Sequence, residues 1–120
     1  MPAPRVLVAE DEMIVAFDLC NTVEEAGYIV EGPHGDIKSA MKALENGTPD
    51  IAILDVNLTD GETFELAEML IAQNVPVIFH SGHFSPDEVN ARFPMAQACA
   101  KPCPPQKLLV AVQQALSIPS

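Results

Sequence analysis

The chain has 120 residues, 48% of them hydrophobic, and 17 acidic against 6 basic side chains give a formal charge of −11. That length allows one domain with its own buried core, and the acidic balance excludes a nucleic-acid surface, which needs a basic stripe to release counterions from phosphates. No apolar run approaches the roughly 20 residues that span a bilayer, "MPAPR" is too short and polar for a signal peptide, and three cysteines (Cys20, Cys99, Cys103) cannot all pair, so the expectation is a cytoplasmic protein with reduced thiols.

Arg5-Val6-Leu7-Val8-Ala9 reads as the first strand. Ala16, Leu19, Cys20 and Val23 then fall at i, i+3, i+4, i+7 and mark an amphipathic helix stopped by Gly27. Tyr28-Ile29-Val30 is the second strand. Asp36 is placed to cap a second helix, whose Ile37, Ala40, Met41 and Leu44 repeat the pattern before Asn46-Gly47 ends it. Ile51 to Leu54 is the third strand, and Phe64, Ala67, Leu70 and Ile71 line the third helix. Val75 to Phe79 is the fourth strand. In "SPDE" Ser85 stands at an N-cap, Pro86 at N1 and Glu88 within reach of the cap, opening a short helix that ends before Pro94. Met95 to Ala100 is a weak, alanine-rich fifth strand suited to an edge, and Leu108, Val112, Ala115 and Leu116 line the last helix.

Strands alternating with helices imply right-handed crossovers and a parallel sheet covered on both faces. The expected fold is therefore a doubly wound α/β domain, with the most apolar strands, one, three and four, at its centre. No linker divides the chain, so residues 1–120 read as one domain with a core over about 5–117.

In open parallel sheets, ligands bind beyond the carboxyl ends of the strands. Strand one ends in Glu10-Asp11-Glu12, strand three in Asp55 and then Val56-Asn57, strand four in His80-Ser81-Gly82-His83, and strand five in Lys101-Pro102. Strand two ends in Gly32-Pro33-His34, which carries nothing distinctive. If strands one and three are neighbours, Glu10, Asp11 and Asp55 converge. Two carboxylates about 5 Å apart repel by roughly 3 kcal/mol at an effective dielectric near 20, which a shared proton or a cation relieves. Hard oxygen donors with solvent access suit Mg²⁺. With Lys101 as a fixed ammonium and Ser81 as a hydroxyl, the set can hold a phosphoryl group and spread its charge, and Asp55 is the candidate nucleophile. The plain alternative for each acid alone is capping of the helix that follows. Mutually compatible groups at four strand ends favour the joint site.

In this order these residues resemble the receiver domain of two-component response regulators, from Arg5 to Ser117. The resemblance rests on the "AEDE" acids, on "ILDVNL" with Asp55, on Ser81-Gly82 and on "KP" at 101–102. It implies a flavodoxin-like sandwich of five parallel strands in the order 2-1-3-4-5 with five helices. It further implies that Asp55 accepts phosphate from a sensor histidine kinase or histidine phosphotransfer protein. Asp11, Asp55 and the backbone carbonyl of Asn57 would bind Mg²⁺, with Glu10 acting through water, while Lys101 bridges Asp55 and the phosphoryl group and Ser81 closes on a phosphoryl oxygen. Lys101-Pro102 would be a cis peptide. The domain would signal by contact with a downstream protein or act as a phosphate sink, as a phosphoacceptor rather than a multiple-turnover enzyme, and homodimers are among the assemblies the resemblance allows.

Three positions depart from the family pattern. Thr59 stands where a proline is common, Gly61 comes early and shortens the loop after strand three, and Ala98 replaces the aromatic usual three residues before the lysine. The ring that normally moves with the hydroxyl is therefore absent at that position, and Phe84 or Phe79 is the candidate substitute. "VPVIFHSGH" and the short loop resemble an atypical, often single-domain receiver subgroup, and no output domain is expected after the last helix. The competing readings are an unphosphorylated pseudo-receiver and an aspartate-nucleophile phosphatase, the latter disfavoured because Asn57 cannot act as acid and base. A zinc site from Cys99, Cys103, His80 and His83 fits known ligand spacings poorly. The cysteines read as packing residues, and His83 as a bystander beside the site or a tuner of phosphate lifetime.

Overall fold

The computed structural model describes residues 3–82 and 84–117. In chain order the elements are β1 (Arg5–Ala9), α1 (Met13–Glu25), β2 (Ile29–His34), α2 (Ile37–Leu44), β3 (Ile51–Leu54), β4 (Asn57–Leu58), β5 (Gly61–Glu62), α3 (Phe64–Ala72), β6 (Val77–Ser81), α4 (Pro86–Arg92), β7 (Gln97–Ala100) and α5 (Pro105–Ser117). Five strands form one sheet in the order β2-β1-β3-β6-β7, all pairs parallel. With the two-residue strands β4 and β5 set aside as a separate hairpin, this is the expected 2-1-3-4-5 order. The fold is a flavodoxin-like doubly wound sandwich.

The alternating direction of strand side chains builds two cores. Leu7, Ala52, Leu54, Val77 and Phe79 pack with α2, α3 and α4, whereas Val6, Val8, Ile51, Ile53 and Ile78 pack with α1 and α5. The central strands β1, β3 and β6 are buried almost throughout. That burial on both faces explains why their sequences run apolar without alternation. The expected inner faces of the helices hold: Ala16, Leu19, Cys20 and Val23 are buried in α1, and Leu108, Val112 and Ala115 in α5. Asp36 caps α2 by accepting from Ser39 N at 2.6 Å, and Ser85 and Glu88 form a reciprocal capping box on α4.

Four boundaries differ from expectation. The second strand is not Tyr28–Val30 but Ile29–His34, because the chain continues in extended form through Gly32-Pro33 across a register shift opposite Leu7 to Ala9. Gly32 has φ +127, and a Cβ there would lie 2.6 Å from the Val8 carbonyl, so the shift requires glycine. The fourth strand runs to Ser81 rather than ending at Phe79, since β7 pairs with it as far as Ser81↔Ala100. His80 and Ser81 are thus strand residues rather than loop residues. The fifth strand starts at Gln97 rather than Met95 and lies at the sheet edge as expected. The loop after strand three is shortened into an ordered β4–β5 hairpin, paired Asn57↔Glu62 and Leu58↔Gly61. The Ile118-Pro119-Ser120 end expected for the last helix lies outside the described residues, as does His83.

Candidate functional site

The adjacency of β1 and β3, with Ala9 opposite Leu54, brings the residues that follow them together. Glu10, Asp11 and Asp55 each offer a carboxylate oxygen within 4.8 Å of the others, the one such group of potential metal ligands among the described residues. Glu10 and Asp55 are buried, and Asp11 is half-buried. The backbone fixes the first two: Glu10 N donates to His34 O and Asp55 N to Ala9 O, both at 2.9 Å. The shifted end of β2, which looked undistinguished in the sequence, thereby holds Glu10 in place.

Lys101 closes the group from β7. Its Nζ lies 2.6 Å from Glu10 Oε1, 2.9 Å from Asp55 Oδ2 and 3.4 Å from Glu12 Oε1. Burial alone would lower the Lys101 pKa, but the contacts with Glu10 and Asp55 outweigh it and hold the ammonium above its ordinary range. Burial pushes the Glu10 carboxyl up to about 7, against the opposing pull of Lys101. One lysine thus leaves the acids only partly compensated. The peptide bond before Pro102 is cis.

Ser81 is buried at the end of β6, where its carbonyl accepts from Lys101 N at 2.9 Å and its Oγ accepts from Phe84 N at 3.2 Å. Hydroxyl, lysine and acids therefore share one end of the sheet. Asn57 opens the hairpin beside Asp55, and its N–H approaches Asp55 Oδ1 at 3.3 Å. Among the described residues no zinc-like group involves Cys99, Cys103 or His80.

Sequence reasoning missed Thr63, Glu12, Asp60 and the placement of His80. Thr63 is fully buried, and its Oγ1 donates to the Asp55 carbonyl at 2.7 Å, closing the segment between phosphoacceptor candidate and α3. His80 is buried beneath the acids with Nδ1 3.9 Å from Glu10 Oε1. Burial, then the Lys101 charge, lowers its pKa, so at neutral pH the imidazole is uncharged and this approach is not an ion pair. A groove of about 570 Å³ opens beside it, between α1 and the turn into α5, lined by Val15, Leu19, Cys103, Pro105 and Leu108 among others. Ala98 lies opposite Phe79 and packs against the aromatic core where Phe64, Phe79 and Phe93 meet, and Phe84 sits on the edge of Phe64 at 6.0 Å.

Chemically, a compact set of hard oxygen donors beside a fixed ammonium and a hydroxyl fits a small divalent cation and an incoming anion. Comparison with known proteins agrees in kind. The response regulator receiver domain family matches residues 6–113. The chain is 31% identical over 116 residues to the transcriptional regulatory protein PdtaR of Mycobacterium tuberculosis, covering 94% of this chain and 57% of that protein. It is 32% identical over 117 residues to the phyllosphere-induced regulator PhyR of Methylorubrum extorquens, covering 95% of this chain and 44% of that one. The chain thus spans about half the length of these curated relatives. The non-phosphorylated HemR receiver domain of Leptospira biflexa superimposes with a TM-score of 0.84 at 26% identity, over 98% of this chain and 97% of that one.

Proposed function

The chain belongs to the response regulator receiver domain family, and on that premise we propose that it is a phosphorylation-dependent signalling switch whose phosphoacceptor is Asp55. The observation that carries this reading is the buried Asp55 carboxylate, held by Lys101 at 2.9 Å within a cluster that includes Glu10 and Asp11. Mg²⁺ is the cation the donor set favours, held by Asp11, Asp55 and the Asn57 carbonyl, with Glu10 behind them. When bound, it would supply positive charge to neutralise phosphoryl oxygens. Asp55 provides the attacking carboxylate oxygen. A bond forms from that oxygen to phosphorus as the bond from phosphorus to the donor nitrogen breaks, and the electron pair leaves with the donor imidazole. Lys101 stays paired with Asp55 and the new phosphoryl oxygens, and Ser81 turns its hydroxyl onto one of them. Because Phe84 N donates to that hydroxyl, Phe84 rather than the core residue Phe79 is the aromatic this reading couples to the switch.

The donor is a sensor histidine kinase or histidine phosphotransfer protein. Met13, Ile14 and Phe17, exposed apolar side chains on α1 just past Asp11 and Glu12, support a protein contact beside the site. The output is contact with a downstream protein or withdrawal of phosphate from the donor. No helix among the described residues is long and apolar enough to cross a membrane, and a cytoplasmic location fits this role.

The test is incubation with acetyl phosphate and Mg²⁺, followed by intact mass. One phosphoryl group should be gained by the parent and none by Asp55→Asn. No gain in the parent would favour the pseudo-receiver reading, to which Ala98 lends some support. Repeated turnover of a phosphomonoester would favour a phosphatase instead.

A further inference from the structure

The segment that carries Asn57 is a hairpin of two-residue strands with no proline in its turn. A pairing this short does not hold itself together in water. Something outside must fix it. Its inner end is tied by Thr63, whose N–H donates to Val56 O at 2.8 Å and whose hydroxyl donates to Asp55 O. Its tip is tied elsewhere. Asp60 Oδ1 accepts from Ile37 N at 2.7 Å and Oδ2 from Lys38 N at 3.2 Å, while the Thr59 hydroxyl donates to Gly35 O at 3.1 Å.

The helix receiving these contacts already has a cap. Asp36, adjacent in sequence, takes Ser39 N, which is the ordinary way to start α2. Asp60 takes the remaining first-turn donors from 23 and 22 residues away. Two charge-assisted bonds to a helix N-terminus are strong for their exposure, because the helix dipole favours the carboxylate. Gly61, at φ +138, lets the turn fold back so that this contact forms.

We propose that Asp60 is a positioning residue for the cation site: by clamping the hairpin tip to the first turn of α2, it holds the Asn57 carbonyl at the distance from Asp55 and Asp11 that a divalent ion requires. The clamp stands in for the rigidity a proline at position 59 would give the loop. This rests on the reading above that the acids and the Asn57 carbonyl share a cation. Outer groups that orient a ligand commonly change metal affinity by about 10- to 100-fold when removed.

The experiment is calorimetric titration with MgCl₂ of the parent, Asp60→Ala, Asp60→Asn and Asp36→Ala. Asp36→Ala removes a cap from the same helix without touching the hairpin, so it reports what a merely structural loss does. Asp60→Ala should weaken Mg²⁺ binding about tenfold, Asp36→Ala should stay within about twofold of the parent, and Asp60→Asn, which keeps one acceptor oxygen, should fall between. Amide exchange at Asn57 and Leu58 without Mg²⁺ should be faster in Asp60→Ala than in Asp36→Ala. Equal affinity in parent and Asp60→Ala, or an equal loss in Asp36→Ala, overturns the proposal. If Asp60→Ala does not fold, Asp60→Asn against Asp36→Ala decides it by the same criterion. A parent that takes up no Mg²⁺ overturns the cation reading itself, and the proposal with it, a result distinct from uptake indifferent to Asp60.

Discussion

Replacing Lys101 with methionine keeps the length of the side chain and removes its charge. The ammonium lies 2.6 Å from Glu10 and 2.9 Å from Asp55, with its side chain only 14% exposed. At an effective dielectric near 20, each contact carries roughly 6 kcal/mol of gross attraction. Against this stand desolvation of the ammonium and mutual repulsion of the carboxylates it joins, about 3.5 kcal/mol per pair at 4.8 Å. What remains is the usual cost of stripping a buried charge of its partner, about 3–5 kcal/mol. Lys101→Met should therefore lower the unfolding free energy by that amount in urea melts at pH 8 with a chelator present. The loss should depend on pH in a defined direction. Burial already raises Glu10 from 4.5 to about 7, and removing Lys101 raises it further. A raised carboxyl contributes stability that is full below its unfolded pKa and lost as pH climbs through the folded value. The gap between variant and parent should thus be small near pH 5 and open as pH passes 7, and millimolar Mg²⁺ should narrow it by replacing the lost charge. A variant within 1 kcal/mol of the parent at pH 8, or a gap indifferent to pH, would refute the electrostatic account of the site.

Phe79→Ala should cost about 3–5 kcal/mol, because the ring is fully buried and packs 5.2 Å from Phe93 and 6.1 Å from Phe64. A change under 1 kcal/mol in denaturant melts would mean that this aromatic cluster does not anchor β6. Burial, with the neighbouring Cys99 thiol, pushes Cys103 up to about 12, so at pH 8 only about one part in ten thousand is thiolate, the reactive form. Alkylation of native Cys103 by iodoacetamide, followed by mass spectrometry, should be far slower than in urea; equal rates would contradict its placement.

The apolar runs of β1, β3 and β6 were legible in the sequence because strands buried on both faces need no polar alternation. The faces of α1 and α5 were legible because helical period is a property of neighbouring residues. Asp55, Lys101, Ser81 and the acids after β1 stood out because each follows or ends a strand, and strand order alone brings strand ends together. The extension of β2 through Gly32-Pro33 was not visible, since a glycine-proline pair ordinarily reads as a turn. It persists here because β1 supplies pairing partners as far as Ala9↔His34.

Composition and periodicity determined that this chain would fold as an α/β sandwich with acids and a lysine at one end, because burial pattern and chain direction are written locally. Whether those charges would meet, at 2.6 and 2.9 Å, and which distant groups would hold them there was settled only in three dimensions. Thr63 under Asp55, His34 behind Glu10 and Asp60 on the first turn of α2 act through single hydrogen bonds between segments far apart in the chain. A hydrogen bond of that kind leaves no periodic trace in the sequence, since it depends on the distance between two atoms once everything else has packed.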